Sequence, residues 1–509
     1  MSKEAEVLRQ KTLKLLNEWK YEELREFLDS EYSSYESEGC KDVFVLVEIA
    51  GAYISMGSEA LDKESIELGL KLFNDNRVKL DGQVTESSIE YCIANGQSAL
   101  YKISIKDQRQ WFITPESVKG NLFDAKQSYL KAFKLINVNE LDDFSIQVLT
   151  NLGNNLNDSG RIVEALQLFD LVLGHNPDFP EALISKADGL RFMIQTTRCG
   201  LSTSLFAEMY NLYQKALRQN LPMPEDVESH TNLVLKHTID ALTRLDFDFD
   251  SAEKEFALNQ KEYDAHPDEL KFYLDNFLSL SEHALYCKCN EAKSDDLFIG
   301  YPGFSVTNMK IVELEHLLNR IKSEFSFARK QLFEFKTSQV DDFMFYQNFG
   351  VHELIYGAQS EKLRMSFRMC FGILDKIAHG VLHLFDLPRA NNENTYFESF
   401  WKNPKAPEGR WEKFNEVRNT HLTALYSIAC DLSKHNGEFS FYKQWRNQLE
   451  HDIFSLIPSN AAEQDVLNSE LFSETVTMED FEEKALHLLQ LVRAAIFSFA
   501  FCCREELVE

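Results

Sequence analysis

The chain has 509 residues, 44% of them hydrophobic and 12% aromatic, so it can fold into roughly two to four globular domains and is not a disordered protein. Its formal net charge of −28 excludes a protein that coats nucleic acid non-specifically, because such binding needs many lysines and arginines to neutralise phosphates. Any contact with nucleic acid must therefore be local or confined to one conformational state.

Residue usage predicts an all-α protein of the cytoplasm. Glycine (20) and proline (11) are sparse, and the alternation of valine, isoleucine and threonine that marks strands is hard to find. The nine cysteines are odd in number and scattered, which is typical of a reducing compartment. The first residues are charged from the start, so they do not resemble a secretory signal peptide. The apolar stretch at 485–503 is interrupted by His487, Gln490 and Arg493, so it predicts a buried helix and no membrane span.

Helical repeats are the first predicted element, over residues 1–195. In LTNLGNNLNDSGRIVEALQLFDLVLGHNPDFPEAL, Gly153 and Ala165 are small enough for two antiparallel helices to approach closely, and Gly160 supports the turn between them. This stretch resembles a tetratricopeptide (TPR) unit. The matching positions are Leu149, Leu152, Gly153, Leu156, Gly160, Ala165, Phe169 and Pro177.

Two weaker repeats flank this unit. Upstream, Ala94, Asn95 and Gly96 lie in a predicted first helix whose partner is predicted at 121–139, across an insertion at 105–120. Downstream, ALISKADGLRFM repeats the pattern of a first helix. The concave face of a TPR array usually binds a peptide or protein. The repeats therefore either hold a protein trigger or serve only as a scaffold for the rest of the chain.

The middle of the chain, residues 196–345, is predicted to contain degenerate helix pairs. ESHTNLVLKHTIDALTRL and DELKFYLDNFLSLSEHALYC both place apolar residues at helical spacing. Few periodic apolar residues occur at 288–308, which predicts a long irregular loop there.

Residues 346–509 are predicted to form an up-and-down helical bundle. The pattern indicates helices at 360–387, at 411–434, within the stretch 439–454 and at 478–503, the last of them opened by acidic residues that suit a helix N-terminus. The loop at 391–410 is rich in asparagine and proline and holds aromatic residues that look exposed.

The third bundle helix, in FSFYKQWRNQLEHDIF, carries the pattern arginine–polar–x–x–x–histidine. Asn447 and His451 are helical neighbours at i,i+4, whereas Arg446 points about 140° away from the histidine. One such helix presents the two groups poorly to a single phosphate, but two helices facing each other across a dimer could surround it. The alternative is an exposed i,i+4 ion pair between Arg446 and Glu450, with an incidental histidine.

The bundle, its motif and the preceding repeats together resemble the HEPN superfamily, in which a four-helix core carries this motif near the start of its last or penultimate helix. The resemblance implies a homodimeric, metal-independent endoribonuclease without a cofactor. In such enzymes the 2′-hydroxyl of RNA attacks the adjacent phosphate and leaves a 2′,3′-cyclic phosphate. It further implies that His451 exchanges protons, that Arg446 binds the phosphate and that Asn447 positions His451 or a phosphate oxygen.

By the same resemblance, we expect a toxin-like effector of defence or stress whose TPR-like region senses a trigger or restrains the nuclease. The expected partners are an RNA substrate, a second copy bound through the C-terminal bundle, and a protein or peptide trigger. The alternative is a non-catalytic adaptor whose HEPN-like bundle only dimerises. An adaptor has no need to keep Arg446 and His451.

Three other sets of polar residues have spacings that are typical of sites. Arg418-Asn419-Thr420-His421 echoes the motif but is two residues short, and it is interpreted as polarity on a helix surface. Asp375, His379 and His383 share one helix face at a spacing that could hold a metal, yet no second group of ligands accompanies them. The set His283-x3-Cys287-x-Cys289 is similar to a zinc site but lacks a fourth ligand, which argues against zinc. No phosphate-binding GxxxxGK[ST] or GxGxxG pattern occurs.

Overall fold

The computed structural model of the protein describes residues 2–37, 42–106, 114–116, 120–138, 140–197, 203–218, 223–249, 252–300, 309–338, 354–391, 393–435, 437–459 and 472–507. The chain divides into two compact units, Met1–Ser159 and Gly160–Glu509. Both units consist mainly of α-helices, so the predicted all-α class is confirmed.

The first unit contains eight helices among its described residues. They are α1 (Lys3–Asn17), α2 (Tyr21–Ser37), α3 (Val43–Ala60), α4 (Lys63–Asp75), α5 (Arg77–Leu80), α6 (Glu86–Lys106), α7 (Asn121–Phe133) and α8 (Asp143–Asp158). The side chains of Asp42, Asp62 and Asp142 accept hydrogen bonds from backbone N–H groups at the starts of α3, α4 and α8. These caps satisfy donors that a helix cannot pair internally, and they explain where the helices begin.

Helix pairs build the first unit. Helix α3 packs against α4, and α6 packs against both α7 and α8. The pairing of the helix around Ala94 with the helix predicted at 121–139 is thus confirmed, although α7 ends at residue 133. Asn95 ties the three helices together, because its Oδ1 accepts from Tyr129 Oη at 2.7 Å and from Asn151 Nδ2 at 3.1 Å.

The second unit begins with helices from the predicted repeat and ends with the predicted bundle. Its described helices and strands are α9 (Ile162–His175), α10 (Pro180–Thr197), α11 (Thr203–Arg218), α12 (Glu225–Arg244), α13 (Ala252–Asp264), α14 (Asp268–Asp275), α15 (Met309–Thr337), α16 (Ala358–Leu384), α17 (Arg410–Glu416), α18 (Thr420–Leu432), α19 (Phe441–His451), β1 (Ile453–Ile457), β2 (Phe472–Thr477) and α20 (Met478–Leu507).

The two helices expected to form one TPR unit are present as α8 and α9, and they are divided between the first and the second unit. Gly160 has a φ of 80°, the left-handed conformation that the turn after α8 was expected to need. A Cβ at this position would also meet the carbonyl oxygen of Thr420 at 2.6 Å, so only glycine fits. The assignment of the helices to TPR repeats stays a prediction.

Helix α20 is the centre of the second unit. It contacts α9, α10, α15, α16 and α18, and every residue from Leu488 to Arg504 except Gln490 is buried. Its two buried arginines find partners in irregular backbone: Arg493 Nε donates to the Ser279 carbonyl at 2.7 Å, and Arg504 Nε donates to the Phe298 carbonyl at 2.8 Å. Buried charges therefore fix the segment 276–300 against the bundle.

Helices α15, α16, α18 and α20 form the bundle, with α17 and α19 beside it. Close approach of α16 to α20 depends on Gly380, because a Cβ there would meet the Phe499 ring at 2.5 Å. Among the described residues, two helices, Val43–Ala60 and Met478–Leu507, are long and apolar enough to cross a membrane by composition, but 56% and 83% of their apolar windows are buried inside the protein. Such burial is consistent with core helices of a soluble protein.

Three expectations for the bundle need correction. The helix predicted at 411–434 is two helices, since Val417 to Asn419 are extended or irregular and Asn419 caps α18. The aromatic residues of the loop at 391–410 are mostly not exposed. Phe400 and Trp401 are buried against Phe414, Phe397 is buried against Phe400, and only Tyr396 is exposed. Finally, β1 and β2 pair in parallel, the one departure from an all-helical structure among the described residues.

Candidate active site

Helix α19 has one buried face and one polar face. Tyr442, Trp445 and Gln448 recur at three-residue spacing and are buried, with Trp445 packed against Phe454 and Phe481. The opposite face carries Lys443, Asn447, Glu450 and the two motif residues, which lie on its two flanks about 140° apart. The hydrophobic anchor thus leaves the polar groups of the helix at the surface.

Arg446 does not pair with Glu450. Its Nη1 donates instead to the side-chain oxygen of Asn447 at 3.2 Å, and no described acidic residue forms an ion pair with it. The guanidinium is half-buried, and most of its donors remain available to a bound phosphate. The surface ion pair considered as the alternative for this motif is therefore not present, and the side chain of Asn447 contacts Arg446.

His451 is the last residue of α19, and its side chain is exposed. Within the described part of the chain, no side chain or backbone group forms a hydrogen bond with its imidazole. The resemblance implied that the motif lies near the start of a core helix. In the structure it lies in the second half of the short helix α19. The reason is local: Asp452 is extended, and β1 begins at Ile453.

Arg446 lies in the electrostatic field of Asp375 on α16 and Lys443 on its own helix. Burial raises the pKa of the Asp375 carboxyl, while a hydrogen bond from the Phe397 N–H at 3.0 Å and the charge of Arg446 oppose that rise. Burial lowers the pKa of Lys443, and the nearby Asp375 charge opposes that fall. Lys443 is held by an ion pair with Glu398. Asp375, Lys443 and Glu398 thus form a half-buried polar cluster next to Arg446.

Sequence reasoning missed a basic stretch on α16. Arg364 and Arg368 are spaced at i,i+4 and share a helix face with Asp375 and His379, which lie two and three turns further on. Arg364 Nη2 donates to the Phe454 carbonyl at 3.2 Å, so this face lies beside the strand that follows His451. The i,i+4 spacing of two arginines in line with Asp375 was the signal that could have identified it.

A cleft of about 490 Å³ adjoins the cluster around Lys443. Tyr396 and Glu398, which line the cleft, also contact Lys443: its Nζ lies 5.1 Å from the centre of the Tyr396 ring. The remaining walls offer aromatic rings, amides and cations. They include Trp401, Lys402, Asn403, Lys405, Tyr426 and His435.

The shortened copy of the motif is not a surface feature, and that interpretation was wrong. Only Arg418 is exposed. Asn419 is the N-cap of α18, where its Oδ1 accepts from the Leu422 N–H at 2.9 Å and its Nδ2 donates to the Cys502 carbonyl at 3.0 Å. His421 is buried against the Phe501 ring, and burial lowers its pKa to about 3. These residues belong to the core.

Asp375, His379 and His383 do not converge on one point. Asp375 accepts the Phe397 N–H, and His383 Nε2 lies 2.8 Å from Glu313 Oε2. Burial lowers the pKa of the half-buried His379. Among the described residues, the one group of three or more histidine, cysteine or acidic side chains with converging ligand atoms is His283, Cys287 and Cys289.

Residues 305–506 match the family described as LA2681-like HEPN. The match starts earlier than the boundary predicted at 346 and includes α15, which packs against α16 and α20. The TPR-like region has no such match, and no curated protein and no solved structure matches the chain. The bundle of α15, α16, α18 and α20, together with the arginine–histidine helix α19, is therefore a HEPN domain of the LA2681-like type.

Proposed function

We propose that the HEPN domain is a metal-independent endoribonuclease. HEPN domains are often ribonucleases. The observation that supports the proposal here is that the arginine and the histidine of the motif are not occupied by other described side chains in the way that an ordinary surface helix would show. Arg446 is oriented by Asn447 and forms no ion pair with described residues, and the imidazole of His451 is exposed on the same short helix. An ordinary salt-bridged surface helix would have joined Arg446 to Glu450.

The reaction requires histidine and arginine side chains, and each copy of the motif contains one of each. A histidine takes the proton from the 2′-hydroxyl, whose oxygen then forms a bond to the adjacent phosphorus as the bond from phosphorus to the 5′-oxygen breaks. A second histidine protonates the leaving 5′-oxygen, so the products are a 2′,3′-cyclic phosphate and a 5′-hydroxyl. The Arg446 guanidinium neutralises the negative charge that accumulates on the phosphate oxygens.

Dimerisation follows from the angular separation of the motif residues. Arg446 and His451 lie about 140° apart on α19 and about 7.5 Å apart along its axis, so one helix does not direct both at one phosphate. Two α19 helices facing each other provide two histidines and two arginines around a single phosphate. We therefore propose that the active form is a homodimer through the C-terminal domain.

The RNA would be held locally, because the chain as a whole carries a net charge of −28 and repels polyanions. Arg364 and Arg368, which share the single carboxylate of Glu361, leave a net positive charge on α16 beside β1. The exposed Tyr396 ring offers a surface on which a base can stack. We further propose that the enzyme is a toxin-like effector of defence or stress, and that the TPR-like region responds to a trigger and controls it.

Cleavage of RNA by the purified full chain in EDTA tests the proposal. His451→Ala and Arg446→Ala are compared with matched controls: His175→Ala, since His175 is also an exposed last residue of a helix, and Arg418→Ala, since Arg418 is exposed in the same domain. Circular dichroism in the same buffer establishes that each variant is folded.

We expect wild type and both controls to yield fragments with 2′,3′-cyclic phosphate ends, and the two motif variants to lose about 10²–10⁴-fold in rate. Cleavage that survives both motif substitutions would place the activity at another site or in a contaminant. If a folded wild-type dimer is inactive with every RNA and in the presence of cell extract as a source of trigger, the domain is a non-catalytic dimerisation module.

A further inference from the structure

A second group of reactive side chains lies in the irregular segment between α14 and α15, away from the arginine–histidine helix. His283 is in a short 3-10 helix, and Cys287 and Cys289 follow it, with Cys289 just before a second 3-10 turn. One ligand atom from each of these residues lies within 4.8 Å of the other two. Cys289 Sγ and His283 Nε2 are 3.1 Å apart.

These spacings suit a tetrahedral zinc ion. Zinc binds thiolate sulfur at about 2.3 Å and imidazole nitrogen at about 2.0–2.1 Å, so neighbouring ligand atoms in a tetrahedron lie about 3.5–3.8 Å apart. Zinc also favours this donor set of two soft sulfurs and one imidazole. Small movements of three side chains would complete the arrangement.

The groups around the cluster already orient its histidine. Glu291 Oε2 lies 3.1 Å from His283 Nδ1, and the Tyr286 hydroxyl lies 2.9 Å from the same nitrogen, which leaves Nε2 directed at the sulfurs. A carboxylate that accepts the second ring N–H of a histidine is a frequent feature of zinc sites, because it fixes the tautomer and the ring orientation. The sequence pattern alone could not reveal this partner.

The backbone also supports the sulfurs. The Cys289 N–H donates to Cys287 Sγ at 3.4 Å, a bond that stabilises a thiolate. The loop is closed by a bond from the Cys287 N–H to the His283 carbonyl at 2.9 Å, and His266 Nε2 lies 3.1 Å from the Lys288 carbonyl, to which it can donate. The three ligand residues are thus held in place by contacts that require no ion.

We propose that His283, Cys287 and Cys289 bind one Zn²⁺ ion. Cys287 lines a cleft of about 340 Å³ together with Glu208 of α11, whose carboxylate pairs with Lys186, and this cleft gives water access to the fourth coordination position. The missing fourth ligand, which argued against zinc at the level of sequence, therefore need not come from the same segment.

The ion would have a structural role. The segment 276–300 has little regular structure and is attached to the bundle through Arg493, Arg504 and an ion pair in which Arg329 Nη1 contacts Asp295 at 2.9 Å. A metal that joins His283 to Cys289 would cross-link this segment at two of its buried residues. Structural zinc contributes directly to folding free energy.

The test uses the full chain without a polyhistidine tag, loaded with Zn²⁺ and then dialysed, with zinc per chain measured by mass spectrometry. Cys287→Ser and Cys289→Ser remove ligands, and Cys92→Ser is the control for loss of a half-buried thiol elsewhere. Glu291→Gln keeps a side chain that is 73% exposed in place but removes its charge from His283. Co²⁺ is used in parallel, because thiolate ligands give it a charge-transfer absorption.

We expect one zinc per chain in wild type and in Cys92→Ser, a loss of that equivalent in both ligand variants, and about 10–100-fold weaker binding in Glu291→Gln. Chelation should lower the Tm of wild type but not of Cys289→Ser. Wild type without retained zinc, full retention by the two ligand variants, or Co²⁺ spectra without thiolate charge transfer would each overturn the proposal. Zinc content is read independently of RNA cleavage, so the two proposals fail separately.

Discussion

The second unit contains two stretches with nearly the same residues in different environments. Arg446 and Asn447 lie on α19 with His451 five residues after the arginine, whereas Arg418 and Asn419 precede His421 at the start of α18. In the first stretch the histidine is exposed and the asparagine contacts the arginine. In the second, the asparagine caps a helix and the histidine is in the core.

The helix that carries each stretch explains the difference. Almost every residue of α18 is buried against α20 and its neighbours, so polar residues at its start must find internal partners. Helix α19 buries only Tyr442, Trp445 and Gln448, so its other polar residues remain at the surface. The residue types alone therefore do not show whether a histidine is accessible to a substrate. Its accessibility depends on how much of the helix surface is buried.

The largest effect expected from this comparison is on RNA cleavage. His451→Ala should lower kcat/KM by about 10²–10⁴-fold with little change in stability, because an exposed imidazole contributes to chemistry and not to packing. His421→Gln should leave cleavage at neutral pH unchanged. Rates and chemical denaturation curves for both variants check the prediction. A loss of activity in His421→Gln at full foldedness would show that the buried histidine acts at the site.

The next effect is on stability against acid. Burial and the charge of Arg504 lower the pKa of His421 to about 3 in the folded protein, well below the ordinary histidine pKa of about 6.5. Between about pH 3 and pH 6.5, His421 is therefore neutral in the folded protein and protonated in the unfolded chain. The stability that this neutral histidine provides is complete above pH 6.5 and declines as the pH falls below it, by about 2 kcal/mol at pH 5.

Denaturation from pH 7 to pH 5 measures this dependence. His421→Gln cannot ionise, so its free energy of unfolding should fall by about 2 kcal/mol less than that of wild type over this range. His175→Gln, a change at an exposed histidine, is the control and should follow wild type. Equal slopes for wild type and His421→Gln would mean that His421 is accessible to protons in the folded protein.

The two asparagines provide a smaller contrast. Asn419→Ala removes the cap of α18 and the bond to the Cys502 carbonyl, and it should lower the free energy of unfolding by about 1–2 kcal/mol. Asn447→Ala should leave stability almost unchanged but reduce cleavage, because Arg446 loses the amide that orients it. Thermal unfolding and cleavage rates separate the two outcomes, and a reversed pattern would contradict the assignment of roles.

Periodicity predicted much of this fold, since long helices need only regular apolar spacing. The last helix was predicted at 478–503 and is observed as Met478–Leu507, because its apolar residues leave it no alternative to burial. The break at Asn419 was missed, since both halves of the segment have helical spacing and the N-cap depends on a tertiary bond to Cys502. Strands β1 and β2 were missed because they are short and pair in parallel, so no hairpin turn joins them in the sequence.

Part of the site could also be predicted. The spacing of Arg446 and His451 placed them on one helix without any structural knowledge. The pairing of Arg446 with Asn447 rather than Glu450 could not be predicted, because both partners are within reach of an arginine on a helix. The contribution of Asp375, Lys443 and Arg364 depends on how α16 packs beside α19 and β1, which no local pattern encodes.

The smallest expected effect concerns Glu450, and it separates the two interpretations of α19 most directly. Because Glu450 is exposed and does not pair with Arg446, Glu450→Gln should change the free energy of unfolding by less than about 0.5 kcal/mol. Removing its charge beside the arginine should raise kcat/KM for RNA a few-fold at low salt, and the gain should shrink as salt screens the field. The same change at exposed Glu412, on α17, should not alter cleavage. Slower cleavage together with lower stability in Glu450→Gln would instead restore the ordinary ion pair, because the arginine would then depend on the carboxylate for its position.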